Sequence, residues 1–241
     1  MERMQRIDKD NDKVTEKSVN KIENPRVLGL IVEYNPFHFG HLHHLQEAKK
    51  IVNPVYTVAV MSGNFCQRGE PAIINKFART EIALRNGIDL VFELPTIYAI
   101  QDAGGFALGS IGILHKTGVV TDLVFGSESG DLDFLKKVAH LLVNQSPEFQ
   151  EIFKKKLKLG YSYPNARKYA LMDVLSKEVD KLSKSNDILG IEYLKAIVKY
   201  GSNIKPHVIK RLGADYNDEQ FRGKYSSATA IRKAIRENEF S

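Results

Sequence analysis

The chain has 241 residues, 43% of them hydrophobic and 27% charged, which excludes a low-complexity or disordered polymer and leaves room for one sizeable core. No apolar run reaches the length of a membrane span and no secretory segment opens the sequence, so the expectation is a cytoplasmic protein without a membrane partner. The single cysteine, Cys66, excludes an internal disulfide and a CxxC zinc pair and reads as a structural thiol; the net charge of +6 permits an anionic partner such as a nucleotide or RNA.

In chain order, residues 1–25 are rich in charges of mixed sign and poor in large apolar residues, and are expected to form a disordered leader outside the fold. "VLGLIVEYN" (27–35) is a near-continuous apolar run, as in a strand buried on both faces. "HLHHLQEAKKI" then reads as a helix. A second strand is predicted at 55–63, a helix at 75–87 stopped by Gly87, a third strand at 89–95, and a small-residue-rich helix from 100 to about 118. A fourth strand follows at 122–128. Helices are predicted at 133–143, 147–159, 163–177 and 185–201, then a fifth strand at 204–213 and a last helix at 226–238. Strand–helix alternation with buried-type strands predicts an α/β fold, a parallel sheet with helices on both faces. The helices between about 131 and 200 read as an insertion before the last strand. In such sheets ligands bind at the carboxyl ends of the strands, and "EYNPFHFGH", "MSGNFCQRGE", "ELP" and "FGSE" all fall there.

"EYNPFHFGHLHHL" (33–45) carries four of the seven histidines. His38, His41 and His44 recur at helical spacing of three, but no acidic or cysteine partner lies at metal-site spacing and no HExxH pattern occurs, so no metal is assigned. A phosphate reading explains more. Pro36 halts the strand, and Gly40 lets the backbone approach a ligand. A helix starting near Gly40 offers unpaired amides and a dipole that favours anions. His38 and His41 flank that terminus, where an imidazole donates to a phosphate oxygen or, as a cation, offsets charge on a leaving pyrophosphate. His43 and His44 read mostly as ordinary helix residues, one solvated and one packed. Near the other end, "YSSATAIRKAI" places Ser226 or Ser227 at an N-cap, with the Ser227 and Thr229 hydroxyls beside a second set of free amides. Ile231, Ala234 and Ile235 are predicted to face the core, with Arg232 pointing elsewhere.

The pair His38–Phe39–Gly40–His41 and Ser226–Ser227–Ala228–Thr229–Ala230–Ile231–Arg232 resembles the two signatures of the HIGH-type nucleotidyltransferase superfamily. The resemblance implies a Rossmann-like sheet and cleavage of ATP between its α and β phosphates. "GLIVEYNPFHFGHLHHL", "VAVMSGNFCQRGEPAI", "NGIDLVFELP", "FGSE" and "SNDILGIEYLKAI", in that order, are similar to the bacterial tRNA(Met) cytidine acetate ligases over about 27–237. That similarity implies a ligase that converts acetate and ATP to acetyl-adenylate and pyrophosphate. The acetyl group would then pass to the wobble cytidine of elongator tRNA(Met), giving N4-acetylcytidine. It also implies an ATP site made of Ile31, Val32, Glu33, Tyr34, Asn35, Pro36, Phe37, His38, Phe39, Gly40, His41, Leu42, His43 and His44, with Gly126, Asn186 and Arg211. His38 and His41 would be catalytic, Ser227 and Thr229 would support the phosphates, and Mg2+ would accompany ATP.

On this reading Arg211 grips a phosphate bidentately. Gly126 lets adenosine lie against the fourth strand, and Asn186 reads a base or ribose edge. By position alone, Asn64, Gln67, Arg68, Lys76 and Arg79 join the candidates. Glu33 is a costly buried charge unless paired, and Glu33 or Asn35 is given a supporting role. The basic segments "FKKKLKLG" and "IRKAIRE" are candidates for tRNA phosphates. Two departures stand out. Phe39 replaces the asparagine usual in the family's first signature, and family chains continue well past the last helix, so a C-terminal domain is expected to be missing. The competing readings are a nucleotidyltransferase that adenylylates a phosphorylated small molecule, and an ATP- or RNA-binding module without catalysis. Oligomeric state is not legible in the sequence.

Overall fold

A computed structural model describes residues 25–67, 69–175, 184–211 and 227–237; residues 1–24 of the expected leader lie outside the described residues. The elements are β1 (Val27–Val32), α1 (Phe39–Val52), β2 (Tyr56–Ser62), α2 (Lys76–Arg85), β3 (Leu90–Leu94), α3 (Thr96–Ala99) and α4 (Ala103–Lys116). They continue with β4 (Asp122–Ser127), α5 (Leu132–Asn144), α6 (Pro147–Lys158), α7 (Tyr163–Leu175), α8 (Ser185–Lys199), β5 (Lys205–Lys210) and α9 (Ala228–Glu237).

The five strands form one parallel sheet in the order β3-β2-β1-β4-β5. Both faces are covered because successive strand residues point to opposite sides. Val27, Val58, Val60, Leu123 and Phe125 join the larger core with Phe106, Ile111 and Leu114 of α4, Leu135 of α5 and Ile191 and Leu194 of α8. Leu28, Leu30, Ala59, Met61 and Val124 point the other way, onto Leu45, Ala48 and Val52 of α1 and Ala83 of α2. The chain order runs outward through β2 and β3 on one side of β1, then returns to β4 and β5 on the other. This is the topological switch point where α/β sheets open a crevice.

Boundaries follow the expected elements closely, with two informative differences. β1 stops at Val32 instead of running to 35, because Tyr34 takes a left-handed backbone conformation (φ 49°) that turns the chain out of the sheet. The helix predicted from 100 to 118 is α4, which starts at Ala103 where the Asp102 side chain caps it by accepting from the Gly105 amide, and a short helix that was not predicted, α3, precedes it. The insertion before β5 consists of α5–α8; α6 and α7 pair with each other, and α8 packs on α4, α5 and β4. No described helix is long and apolar enough to cross a membrane.

Candidate functional site

A cavity of about 320 Å3 opens at the carboxyl ends of β1 and β4, where the N-termini of α1, α4, α8 and α9 converge. It is the crevice expected at the switch point. Of the residues singled out in the sequence, Ile31, Val32, Glu33, Tyr34, Asn35, His38, Gly40, His41, His43, His44, Gly126, Asn186, Arg211, Ser227 and Thr229 line it. Pro36, Phe37, Phe39 and Leu42 do not. A helix turns only part of its surface to one side, and the Phe37 ring is used instead to pack edge-on against Tyr34, 4.8 Å between centroids.

The helix start differs from expectation in a way that assigns the histidine chemistry. α1 begins at Phe39, and His38 is its N-cap: Nδ1 of His38 accepts from the Gly40 amide at 3.0 Å. An Nδ1 that accepts is unprotonated, so the neutral ring carries its proton on Nε2, the nitrogen left to donate. Gly40 is required by this fold-back, since a Cβ there would sit 2.8 Å from the His38 ring. The glycine therefore makes room for the cap. The His38 and His41 rings lie 3.9 Å apart between centroids, and His41 meets Tyr34 at 5.0 Å.

Burial and the Arg211 charge push the His38 imidazole down to about 4. Burial, with His38, His44 and Arg211 adding to it, pushes His41 well below its ordinary value. His44 is held at about 4, again by burial first and Arg211 second. These rings are neutral donors at pH 7 in the free protein. In the free protein the permanent positive charge around the cavity therefore belongs to Lys210, Arg211 and Arg232, and a cationic imidazole requires bound phosphates.

Nδ1 of His41 and Nε2 of His44 are enclosed with no hydrogen-bond partner among the described residues. His43 is exposed and His44 packed, as expected of the pair, and the enclosed His44 nitrogen gives that residue a pH-dependent role. Because its folded value lies below the unfolded one of about 6.5, its neutral form stabilises the fold above pH 6.5, and that contribution is lost as pH falls toward 4. The urea midpoint of the ligand-free chain is expected to drop over this window. His44→Gln should remove about 1–3 kcal/mol of that drop.

Beneath the histidines lies a polar scaffold. Glu33 Oε1 accepts from the Gln67 amide at 2.6 Å. Burial raises the Glu33 carboxyl above its usual range, against the opposing pull of that amide and of the Arg79 and Arg232 guanidiniums. Arg79 is fully buried and donates to the carbonyls of Glu33 (2.5 Å), Ile74 (3.1 Å) and Gly63. It ties together the ends of β1 and β2 instead of facing the cavity. Asn35 donates to the Cys66 sulfur at 3.3 Å and accepts from the Ile73 amide at 2.9 Å. Cys66 is buried, and burial pushes its thiol up to about 11, as a structural cysteine requires. Lys76 pairs with Glu93 at 2.6 Å and Asn64 does not line the cavity, so neither joins the site; Arg68 and Ser226 lie outside the described residues.

Ser227 caps α9, its hydroxyl accepting from the Ala230 amide at 3.0 Å. Ala234 is buried as predicted, but Ala230 takes the place of Ile231 and Ile235 in the buried face. Ala230 and Ala234 are buried, whereas Ile235 is exposed. Arg232 therefore turns toward the cavity, donating to the Asn35 carbonyl at 2.9 Å and to the Thr229 hydroxyl at 3.3 Å. This contact staples the two signature segments to each other across almost the whole chain.

On the far wall, Glu128 caps α8 by accepting from the Asp187 amide (2.9 Å) and the Asn186 side chain (2.7 Å). Buried Asp187 accepts in return from the Ser127 hydroxyl and the Ser129 amide. The "FGSE" and "SND" blocks are thus one reciprocal cap, and Asn186 keeps its carbonyl oxygen for a ligand. Glu128→Ala is expected to cost about 1–2 kcal/mol of stability and to weaken nucleotide binding roughly tenfold, read by thermal melting and by titration with ATP. Gly126 meets no protein atom that would exclude a side chain: a Cβ there would contact only the Arg211 aliphatic chain, at 3.5 Å. Any demand for glycine comes from the cavity side. Gln67, a candidate by position, lines the cavity, and Ala103, Phe106, Ser185, Leu189, Tyr193, Ile209 and Lys210 complete the wall without having been assigned to it from the sequence. Ser185 and Leu189 flank Asn186 on its helix, and that spacing was the available signal. Ala103 and Phe106 come from a helix that carries no motif.

Comparison with known proteins places the fold in a known family. The model of the HIGH Nucleotidyl Transferase family matches residues 26–241. The tRNA(Met) cytidine acetate ligase of Fervidobacterium nodosum is 79% identical over 215 residues, covering 89% of this chain and 51% of that protein. That of Thermotoga maritima is 61% identical over 212 residues, covering 86% and 51%. The apo crystal structure of Thermotoga maritima TmcAL superposes with a TM-score of 0.86 at 61% identity, over 88% of this chain and 52% of that one. The form bound with alpha-thio ATP gives 0.83 at 58% identity, over 89% and 51%. The chain spans about half the length of the curated relatives it matches. With the two signatures joined around one cavity and the family model matched from residue 26 to the end, the chain belongs to the HIGH nucleotidyl transferase family.

Proposed function

We propose that this chain is the ATP-binding part of a tRNA(Met) cytidine acetate ligase. It activates acetate as acetyl-adenylate, and the enzyme passes the acetyl group to the wobble cytidine of elongator tRNA(Met). The observation that carries the reading is the convergence of two helix N-termini, at His38–His41 and at Ser227–Arg232, with Arg211 on one cavity in which Glu33 is the only carboxylate among the described lining residues. A polyanion suits that cavity. The relatives' names and the ATP analogue bound by the Thermotoga protein support the same assignment.

In the reaction an acetate oxygen attacks the α-phosphorus and the bond to the bridging oxygen breaks, so negative charge grows on the leaving pyrophosphate. Both reactants are anions, and positioning and charge compensation make up the catalytic task. Nε2–H of His38 and the His41 ring donate to the α-phosphate and the bridging oxygen. Arg211 and Arg232 neutralise the outer phosphates. The Asn186 carbonyl accepts from an amino group of the base. No residue needs to form a covalent bond, and Cys66 stays out of the chemistry. The described residues include no cluster of three or more His, Cys, Asp or Glu that could hold a metal, and Glu33 is already engaged by Gln67. A divalent ion accompanying ATP would be held mainly by the phosphates, with Glu33 the one carboxylate among the described lining residues. The ion would arrive on the phosphates of ATP, and no step is assigned to it. The proposed compartment is the cytoplasm, where tRNA and ATP meet.

The test is ATP–pyrophosphate exchange with and without acetate. Acetate-dependent exchange supports the ligase. Exchange only with a phosphorylated acceptor would replace it by an adenylylating nucleotidyltransferase, and ATP binding without exchange by a binding module.

A further inference from the structure

The hairpin of α6 and α7 is not used by the nucleotide site. Residues 153–169 contain Lys154, Lys155, Lys156, Lys158, Arg167 and Lys168 and no acidic residue. Two of these cations serve the fold: Lys156 pairs with Asp173 at 3.0 Å, and Arg167 reaches Glu192 on α8 at 4.0 Å. Lys154, Lys155 and Lys158 are exposed. Lysines at a helix C-terminus complement its dipole, but that does not explain the aromatic residues beside them. Tyr161 is 42% exposed and Tyr163 60%, although a folded chain gains by burying such rings. Both are held in edge contacts, Tyr161 with Tyr169 at 5.0 Å and Tyr163 with Phe153 at 5.2 Å, so their orientation is set before any partner arrives. Preordered aromatic faces among unopposed cations match unpaired nucleotides, whose bases stack and whose phosphates attract lysine. A protein partner would have to supply acidic groups and apolar contacts together. A nucleic acid loop carries both features in every residue. The hairpin also abuts a helix that borders the nucleotide cavity: Arg167 reaches Glu192 of α8, the helix whose Asn186, Leu189 and Tyr193 line it.

We propose that the α6–α7 hairpin docks unpaired nucleotides of the RNA substrate, with Lys154, Lys155 and Lys158 on phosphates and Tyr161 and Tyr163 on bases. The proposal rests on the ligase reading for the identity of the RNA. The experiment measures filter retention of an unmodified elongator tRNA(Met) transcript by the chain across a salt series, alongside acetate-dependent exchange. Lys154→Ala/Lys155→Ala/Lys158→Ala should weaken RNA binding about tenfold or more at low salt and make the log–log salt slope shallower by about 2. Tyr161→Ala/Tyr163→Ala should weaken it roughly tenfold with the slope unchanged. Exchange should be unaltered in both, since neither variant touches the cavity. RNA affinity within twofold of the unmodified chain in both variants, or no retention by the unmodified chain, overturns the proposal. Loss of exchange in the unmodified chain overturns the ligase reading and leaves the RNA measurement standing.

Discussion

Replacing His41 with alanine lowers acetate-dependent ATP–pyrophosphate exchange by roughly 10^2–10^3-fold and leaves the fold intact. The size follows from the task. Adenylate formation concentrates negative charge on the α-phosphate and the bridging oxygen, and removal of one donor preorganised toward such charge costs about 3–4 kcal/mol of transition-state stabilisation. His41 is packed between the His38 ring and the edge-on Tyr34 ring, so its ring is held before ATP arrives. The fold tolerates the loss because Nδ1 of His41 has no hydrogen-bond partner among the described residues; truncation breaks no internal polar contact there. Exchange kinetics and a melting curve on the same preparation separate the two effects. Exchange unchanged from the parent would remove His41 from the chemistry. The free histidine is neutral, and a bound polyphosphate favours its protonated form. ATP binding near pH 6 is therefore accompanied by proton uptake in the parent and by less in the variant.

Arg79→Ala is expected to destabilise the chain by about 3–5 kcal/mol, the range for breaking a buried charged network by removing one partner. The arginine has no exposed surface and donates to three carbonyls, those of Glu33, Gly63 and Ile74. Alanine leaves these carbonyls unpaired away from water and removes one of the two guanidiniums opposing Glu33. Arg79→Lys restores the charge but not the planar fork that reaches several carbonyls at once, and should recover only part of the loss. Denaturant midpoints of the three proteins decide the matter; an alanine variant within about 1 kcal/mol of the parent would refute this role. Because Glu33 directly precedes the Tyr34–Asn35–Pro36 turn, nucleotide affinity should fall together with stability.

The elements were legible because their causes are local. Apolar runs bounded by turns produced all five strands to within a few residues, and capping residues such as Asn75 and Ser146 stand where the helices start. The phosphate-site reading of His38 and His41 was legible for the same reason, since a proline, a glycine and a helix start lie within six residues. Other features were not. Arg232 was placed away from the site because helical periodicity alone does not say which apolar stripe is buried. The small residues Ala230 and Ala234 turned out to fit beneath the helix while Ile235 stayed outside. Ala103 and Phe106 carry no motif and reach the wall only because α4 crosses the end of the sheet.

Sequence by itself determined the parallel α/β class and the two signature segments on which the proposed polyanion site rests. These depend on residue type and short spacing. Tertiary structure decided the electrical state of the histidines and the company they keep. Burial and the charge of Arg211, 170 positions away from His41, make the rings neutral donors. A hydrogen bond from Arg232 to Asn35, two residues 197 positions apart, closes the site. Desolvation and long-range contact have no trace in local sequence, because both are set by where the chain returns in space.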